Sequence, residues 1–145
     1  MHARRTVAAL AALPTSPLWT SNQGTGTASL FSGAPPAVPP AIVPLVVTIH
    51  GGPPTGQVAN ATGTTTAFPV AGSLGSGPAR FIFATLGGAI SAWTPAAEAT
   101  DSVVVASPPG ASYTGLTLIN TRPARSCSRP TSRRGGSMCS TRRST

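Results

Sequence analysis

Lysine is absent from all 145 residues, and the acids are one glutamate, Glu98, and one aspartate, Asp101. Charged residues make up 8% of the chain, where an ordinary soluble domain carries about a quarter. A surface helix needs a charged or polar outer stripe, so amphipathic helices are excluded and an all-β or disordered chain remains. Cysteine is nearly as scarce. Cys127 and Cys139 both fall near the C-terminus with no histidine beside them, which excludes a zinc cluster and a disulfide framework. No apolar run is long enough to span a bilayer. No catalytic, cofactor-binding or metal-ligating set of residues is expected.

The formal charge of +8 invites a nucleic-acid reading, since clustered cations displace the counterions of phosphates. Its distribution argues otherwise. Up to residue 121 the chain holds Arg4, Arg5 and Arg80 against the two acids, and the other seven arginines lie from Arg122 onward. The basic character belongs to a tail. Without lysine, interleaved aromatics or a folded platform, that tail binds polyanions non-specifically and specific nucleic-acid recognition is not expected.

What the chain has in plenty is turn chemistry, with 16 glycines and 16 prolines. Two stretches share one plan: Leu18-Trp-Thr-Ser-Asn-Gln-Gly-Thr-Gly-Thr-Ala-Ser-Leu-Phe31 and Phe81-Ile-Phe-Ala-Thr-Leu-Gly-Gly-Ala-Ile-Ser-Ala-Trp93. In each, apolar residues alternate with small or polar ones on either side of a glycine pair, which predicts two strands joined by a hairpin turn. Each is followed by another β-rich run, Leu45 to Ile49 and Ser102 to Ala106. A unit recurring at roughly 60 residues reads as part of a radial array. Tyr113 to Ile119 looks like the inner strand of a third unit. Ser32 to Pro44 must be loop or edge, and Gly51 to Gly56 and Ala71 to Pro78 are dense in turn residues.

The ends read differently. Residues 1–13, with Arg4 and Arg5 before a short apolar run, have the outline of a weak signal-like segment or are disordered. Residues 121–145 have no apolar periodicity and the composition of a GC-rich gene read out of frame. In the frame that joins each codon's last base to the next two, Met138 followed by Cys139 is forced to valine. With G or C where the code leaves a choice, that frame spells a third strand, glycine turn and strand ending in phenylalanine.

Pro14 to Phe31, Pro44 to Ile49, Pro54-Thr-Gly-Gln57, Phe81 to Trp93 and Tyr113-Thr-Gly-Leu116 together resemble an uncharacterised family of secreted bacterial proteins, most specifically in the Thr-Ser-Pro and Asn-x-Gly-Thr-Gly-Thr stretch. The resemblance covers most of Pro14 to Asn120. It implies a propeller of the NHL-repeat and gluconolactonase-like kind and an extracellular or periplasmic setting, and it implies no reaction. Family members usually carry an Asn-Pro-Trp-Gly-Leu segment where this chain has Thr6 to Leu13.

Several constellations imitate active sites. Val46 to Gly52 has the strand and His50-Gly51-Gly52 loop of an esterase oxyanion hole, but no Gly-x-Ser-x-Gly elbow accompanies it, so His50 is expected at a strand-end turn. Gly72 to Gly77 lacks the Lys and Ser/Thr of a phosphate loop. Asn60-Ala61-Thr62 is a glycosylation sequon. Trp19, Phe31, Phe83 and Trp93 could stack on a ring, but at alternating strand positions they are expected to pack between sheets. The expected fold is all-β, a partial propeller of about two to two and a half blades over residues 14–120, with disordered ends and possible self-association through open sheet edges. The favoured function is a secreted binding or structural protein, inert as translated. The alternatives are a remnant of a lactonase-like enzyme, which would set a metal among acids and Asn, and a basic-tailed nucleic-acid-binding protein.

Overall fold

The structure, a computed structural model, describes residues 6–33, 38–63 and 66–119. The arginine-rich tail, both cysteines and the out-of-frame hairpin lie outside the described residues. The described chain is all-β, with ten strands and no helix: β1 (Val7–Ala11), β2 (Leu18–Asn22), β3 (Thr27–Ser32), β4 (Ala41–Thr48), β5 (Pro54–Ala59), β6 (Pro69–Ala71), β7 (Ser76–Pro78), β8 (Phe81–Thr85), β9 (Ile90–Trp93) and β10 (Val103–Ala106). They form two four-stranded antiparallel sheets, in the orders β1-β2-β3-β4 and β10-β9-β8-β5, and the small hairpin β6-β7. None of the sheets closes on itself.

Both hairpins expected from the sequence are present. Trp19 pairs with Leu30 and Ser21 with Ala28 across β2 and β3, while Phe81 pairs with Trp93 and Phe83 with Ser91 across β8 and β9. Gly26 and Gly88 close the two turns with φ of 67° and 81°, the left-handed region that costs a side chain strain. Aligned on those glycines the second strands match directly, and the first strands match through their ladder partners. Thr27 matches Ala89, Ser29 matches Ser91 and Phe31 matches Trp93. On the first strands Leu18 matches Phe81 and Asn22 matches Thr85, the loop of the first hairpin being one residue longer.

Elsewhere the structure departs from the sequence reading. Val7–Ala11, in the segment read as disordered or signal-like, is β1, pairing antiparallel with β2. An unpaired β2 would leave a row of N–H and C=O groups open, and small apolar residues suffice to fill it. Pro44 is tolerated within β4 because it falls where the register slips, between Val43 opposite Leu30 and Val46 opposite Ser29, on an edge strand. The turn-rich stretches hold strands too: β5 starts at Pro54, and Ala71 to Pro78 contains the end of β6, its turn and β7. Tyr113 to Ile119 is not a strand. It crosses β5 instead, where the Thr55 hydroxyl donates to the Tyr113 carbonyl at 2.5 Å and Gly56 meets the backbone of Gly115 and Leu116 so closely that any Cβ would collide.

The two large sheets bury one face against each other. Trp19, Ala28, Leu30 and Val47 of the first meet Phe81, Phe83 and Trp93 of the second. Trp19 stacks on Phe81 with ring centroids 4.2 Å apart and tilts against Trp93 at 4.8 Å, geometries that add to the area the rings bury. Alternation sends Ile82 and Ala92 to the opposite face, where Val70, Ala79 and Ala97 cover them. Both faces are buried at the centre of each sheet, Thr20, Asn22 and Ser29 included on the outer face of the first, where Leu18 and Ile42 stay exposed. Trp19→Ala should cost about 3–5 kcal/mol, read as a lower urea midpoint by tryptophan fluorescence of the remaining Trp93. A midpoint within experimental error of the parent would show that the inter-sheet contact is not the core.

Candidate functional site

Ionisable side chains gather at one place, the corner where β4 hands over to β5. Thr48 bridges to Asp101 in parallel, its N–H donating to the Thr100 carbonyl and its carbonyl accepting from Ser102 N–H, at 2.8 and 2.9 Å. These bonds tie the first sheet to the strand entering β10. Beyond them His50 Nε2 lies 2.9 Å from Asp101 Oδ1, with both side chains about half exposed. The Thr100 hydroxyl donates to Asp101 Oδ2. Together the His50 ring and the Thr100 hydroxyl hold the Asp101 carboxyl below the usual carboxylate range.

A histidine beside an aspartate raises the question of a nucleophile. The two nearby serines bond the His50 main chain and not its ring: Ser102 Oγ accepts from His50 N–H at 2.9 Å, and the Ser91 hydroxyl donates to the His50 carbonyl. No Ser-His-Asp relay is assembled. The Gly51 carbonyl accepts from the Thr85 hydroxyl at 2.8 Å, so the loop that imitates an oxyanion hole is a strand-end turn sewn to its neighbour.

The Gly72 to Gly77 loop is the turn of the β6-β7 hairpin, and it holds an anion belonging to the chain. Ser73 N–H and its hydroxyl donate to the two Glu98 carboxylate oxygens at 2.6 and 2.9 Å. In the sequon, Asn60 Nδ2 donates to the Ala79 carbonyl at 2.8 Å, and Thr62 Oγ1 donates to Asn60 Oδ1 at 2.7 Å. Trp19, Phe83 and Trp93 are buried between the sheets. Phe31 alone of the four aromatics turns to the opposite face, beside Leu18. Among the described residues no three of His, Cys, Asp or Glu come together as a metal site, and no helix is long and apolar enough to cross a membrane.

One polar feature went unseen in the sequence. Gln57, on β5, is 5% exposed, accepts from the Ser21 hydroxyl through Oε1, and has no partner for Nε2. It borders a cleft of about 430 Å³ between β1 and β5. A glutamine in a strand of unremarkable composition carries no mark of burial, so nothing in the sequence could have singled it out.

No protein-family model matches the chain, and no curated protein matches it significantly.

Two outcomes follow. Asp101 is depressed in the folded state, so its contribution is complete above the unfolded pKa, roughly 4, and is lost as pH falls through the lower folded value. Asp101→Asn should flatten the acid limb of the stability curve in urea titrations below about pH 5; an acid limb as steep as the parent's would remove the pair from the account. Burial of an unpaired amide costs about 1–3 kcal/mol. Ser21→Ala combined with Gln57→Met removes donor and acceptor together and should leave the urea midpoint equal or higher. Gln57→Met alone, which orphans the Ser21 hydroxyl, should fall below the double variant.

Proposed function

We propose that this chain is a section of a radial β-array from a secreted binding or structural protein, two successive units packed front to back, with no chemistry of its own. One observation carries the reading. In the alignment on Gly26 and Gly88, the face that the second sheet turns toward the first (Phe81, Phe83, Thr85, Ser91, Trp93) matches the face that the first sheet turns away (Leu18, Thr20, Asn22, Ser29, Phe31). Two sheets paired as a symmetric sandwich would present matching faces to each other. Unlike faces in contact are how successive blades of a propeller pack, each seated on the back of the last.

The connections support the same reading. After β4 the chain turns at Gly51 (φ 94°) and passes through Pro54-Thr55-Gly56. After β10 it turns at Gly110 (φ 73°) and passes through Tyr113-Thr114-Gly115, which lies over the first copy of that segment. A low-charge, Ser- and Thr-rich surface suits an extracellular setting. The tail from Thr121 is an out-of-frame stretch of the next unit in this reading.

The test is to shift the gene by one base at codon 121, so that the hidden frame is translated. The product should gain β signal in circular dichroism and melt cooperatively, several degrees above the parent, because each added unit covers a face left open. No gain in either would overturn the array. Calcium-dependent hydrolysis of a lactone by that product would overturn the non-catalytic part and move the reading to the enzyme class.

A further inference from the structure

At a few matching positions the two sheets differ: what a neighbour covers in one is open in the other. Phe81 and Trp93 are 1% and 5% exposed beneath the first sheet, while Leu18, the counterpart of Phe81, is 42% exposed on a face that also carries Ile42 at 67%. At the opposite end, Gly51 is overlain by Ala89, but nothing lies over its counterpart Gly110. Gly56 is overlain by Gly115 and Leu116, but nothing lies over Gly115. Beside these glycines the second sheet keeps an apolar cleft of about 340 Å³, lined by Val58, Ile82, Ile90, Val105 and Leu116 among others.

The polar groups repeat the contrast. Ser91 and Thr85 donate to the carbonyls of His50 and Gly51, the corner that leaves the first sheet. Their counterparts Asn22 and Ser29 are buried on the outer face of the first sheet, where Asn22 Nδ2 donates to Ser29 Oγ at 2.8 Å. The corner equivalent to His50-Gly51 leaves the second sheet at Pro109-Gly110. Neither surface carries a charge, since strands β1 to β4 and residues 102–119 contain no acid, lysine, arginine or histidine. Uncharged apolar faces of this kind are interaction surfaces.

We propose that the outer face of the first sheet, where Leu18 and Ile42 are exposed, binds the cleft and Pro109-Gly110 corner of a second copy of this chain, continuing between molecules the packing that joins the two sheets within one. The inference rests on the equivalence of the sheets argued above and on no particular number of units. The contact joins two different surfaces, so it is heterologous and does not stop at two copies unless the rotation closes a ring.

Sedimentation velocity of the full chain over a concentration series tests this. The parent should give a ladder of species whose mean mass rises with concentration. Leu18→Lys blocks one surface and Val105→Lys the other, so each variant alone should be monomeric. Mixed in equal amounts, they should form a two-copy complex and nothing larger, because each retains one intact half of the contact. Both side chains are exposed, so far-UV circular dichroism should match the parent; should Leu18→Lys lose β signal, Leu18→Thr keeps the strand and should weaken association at least tenfold. A parent monomeric at every concentration overturns the proposal. So does a dimer that Leu18→Lys abolishes and Val105→Lys spares, which is pairing of like faces, and so does aggregation that neither lysine reduces, which is pairing of strand edges. The frame-shifted product tests the array itself without reference to association, so the two failures are distinct.

Discussion

The contact of Trp19 with Phe81 and Trp93 is the constraint on which the remaining architecture rests. Each four-stranded sheet is built from strands with large apolar side chains on both faces, so a single sheet cannot satisfy itself by floating one face on water. Stacking the sheets buries one face of each. The second sheet obtains cover for its other face from β6-β7 and from Tyr113 to Ile119 crossing β5. On the outer face of the first, Thr20, Asn22 and Ser29 are buried while the apolar side chains Leu18, Ile42 and Val46 remain exposed.

A chain with so little charge must hold its layers together with neutral hydrogen bonds, and the corner after β4 shows how. Buried hydroxyls of Thr85, Ser91 and Ser102 each engage the main chain of His50 or Gly51, so backbone polar groups at an inter-sheet seam are satisfied without ion pairs. The His50 and Asp101 pair sits at the solvent edge of this seam, where such a pair contributes little. Its placement tells more than its energy, because it marks the point at which the two sheets are joined strand to strand.

Much of this was legible in the sequence. The paired hairpins announced themselves through period-two alternation around glycine, and the burial of Trp19, Phe83 and Trp93 followed from the same period. The rest was hidden for identifiable reasons. Val7–Ala11 has alanine-rich composition with no strand propensity, and becomes a strand because β2 offers it a free edge. β6 and β7 are three residues each, too short to show a period. Tyr113 to Ile119 has strand composition but runs across β5, and composition cannot say whether a ladder partner exists. Gln57 is buried by its place between β1 and β5, which no local pattern encodes.

The one-residue difference between the hairpin loops settles which faces correspond. Counted from the first paired residue of each loop, Asn22 would match Ala84, and the two sheets would present like faces to each other. With the second strands anchored on Gly26 and Gly88, Thr27 matches Ala89, so their ladder partners Asn22 and Thr85 match, and the hydroxyl or amide at that position has the same task in both sheets, reaching for a carbonyl or hydroxyl on the face away from Ile82 and Trp19. The glycine alignment also brings Ser29 onto Ser91 and Phe31 onto Trp93, which the other count does not. A backbone φ that only glycine adopts freely is a harder constraint than loop length, which varies at little cost. The glycine register therefore governs, and with it the match of unlike faces across the inter-sheet contact.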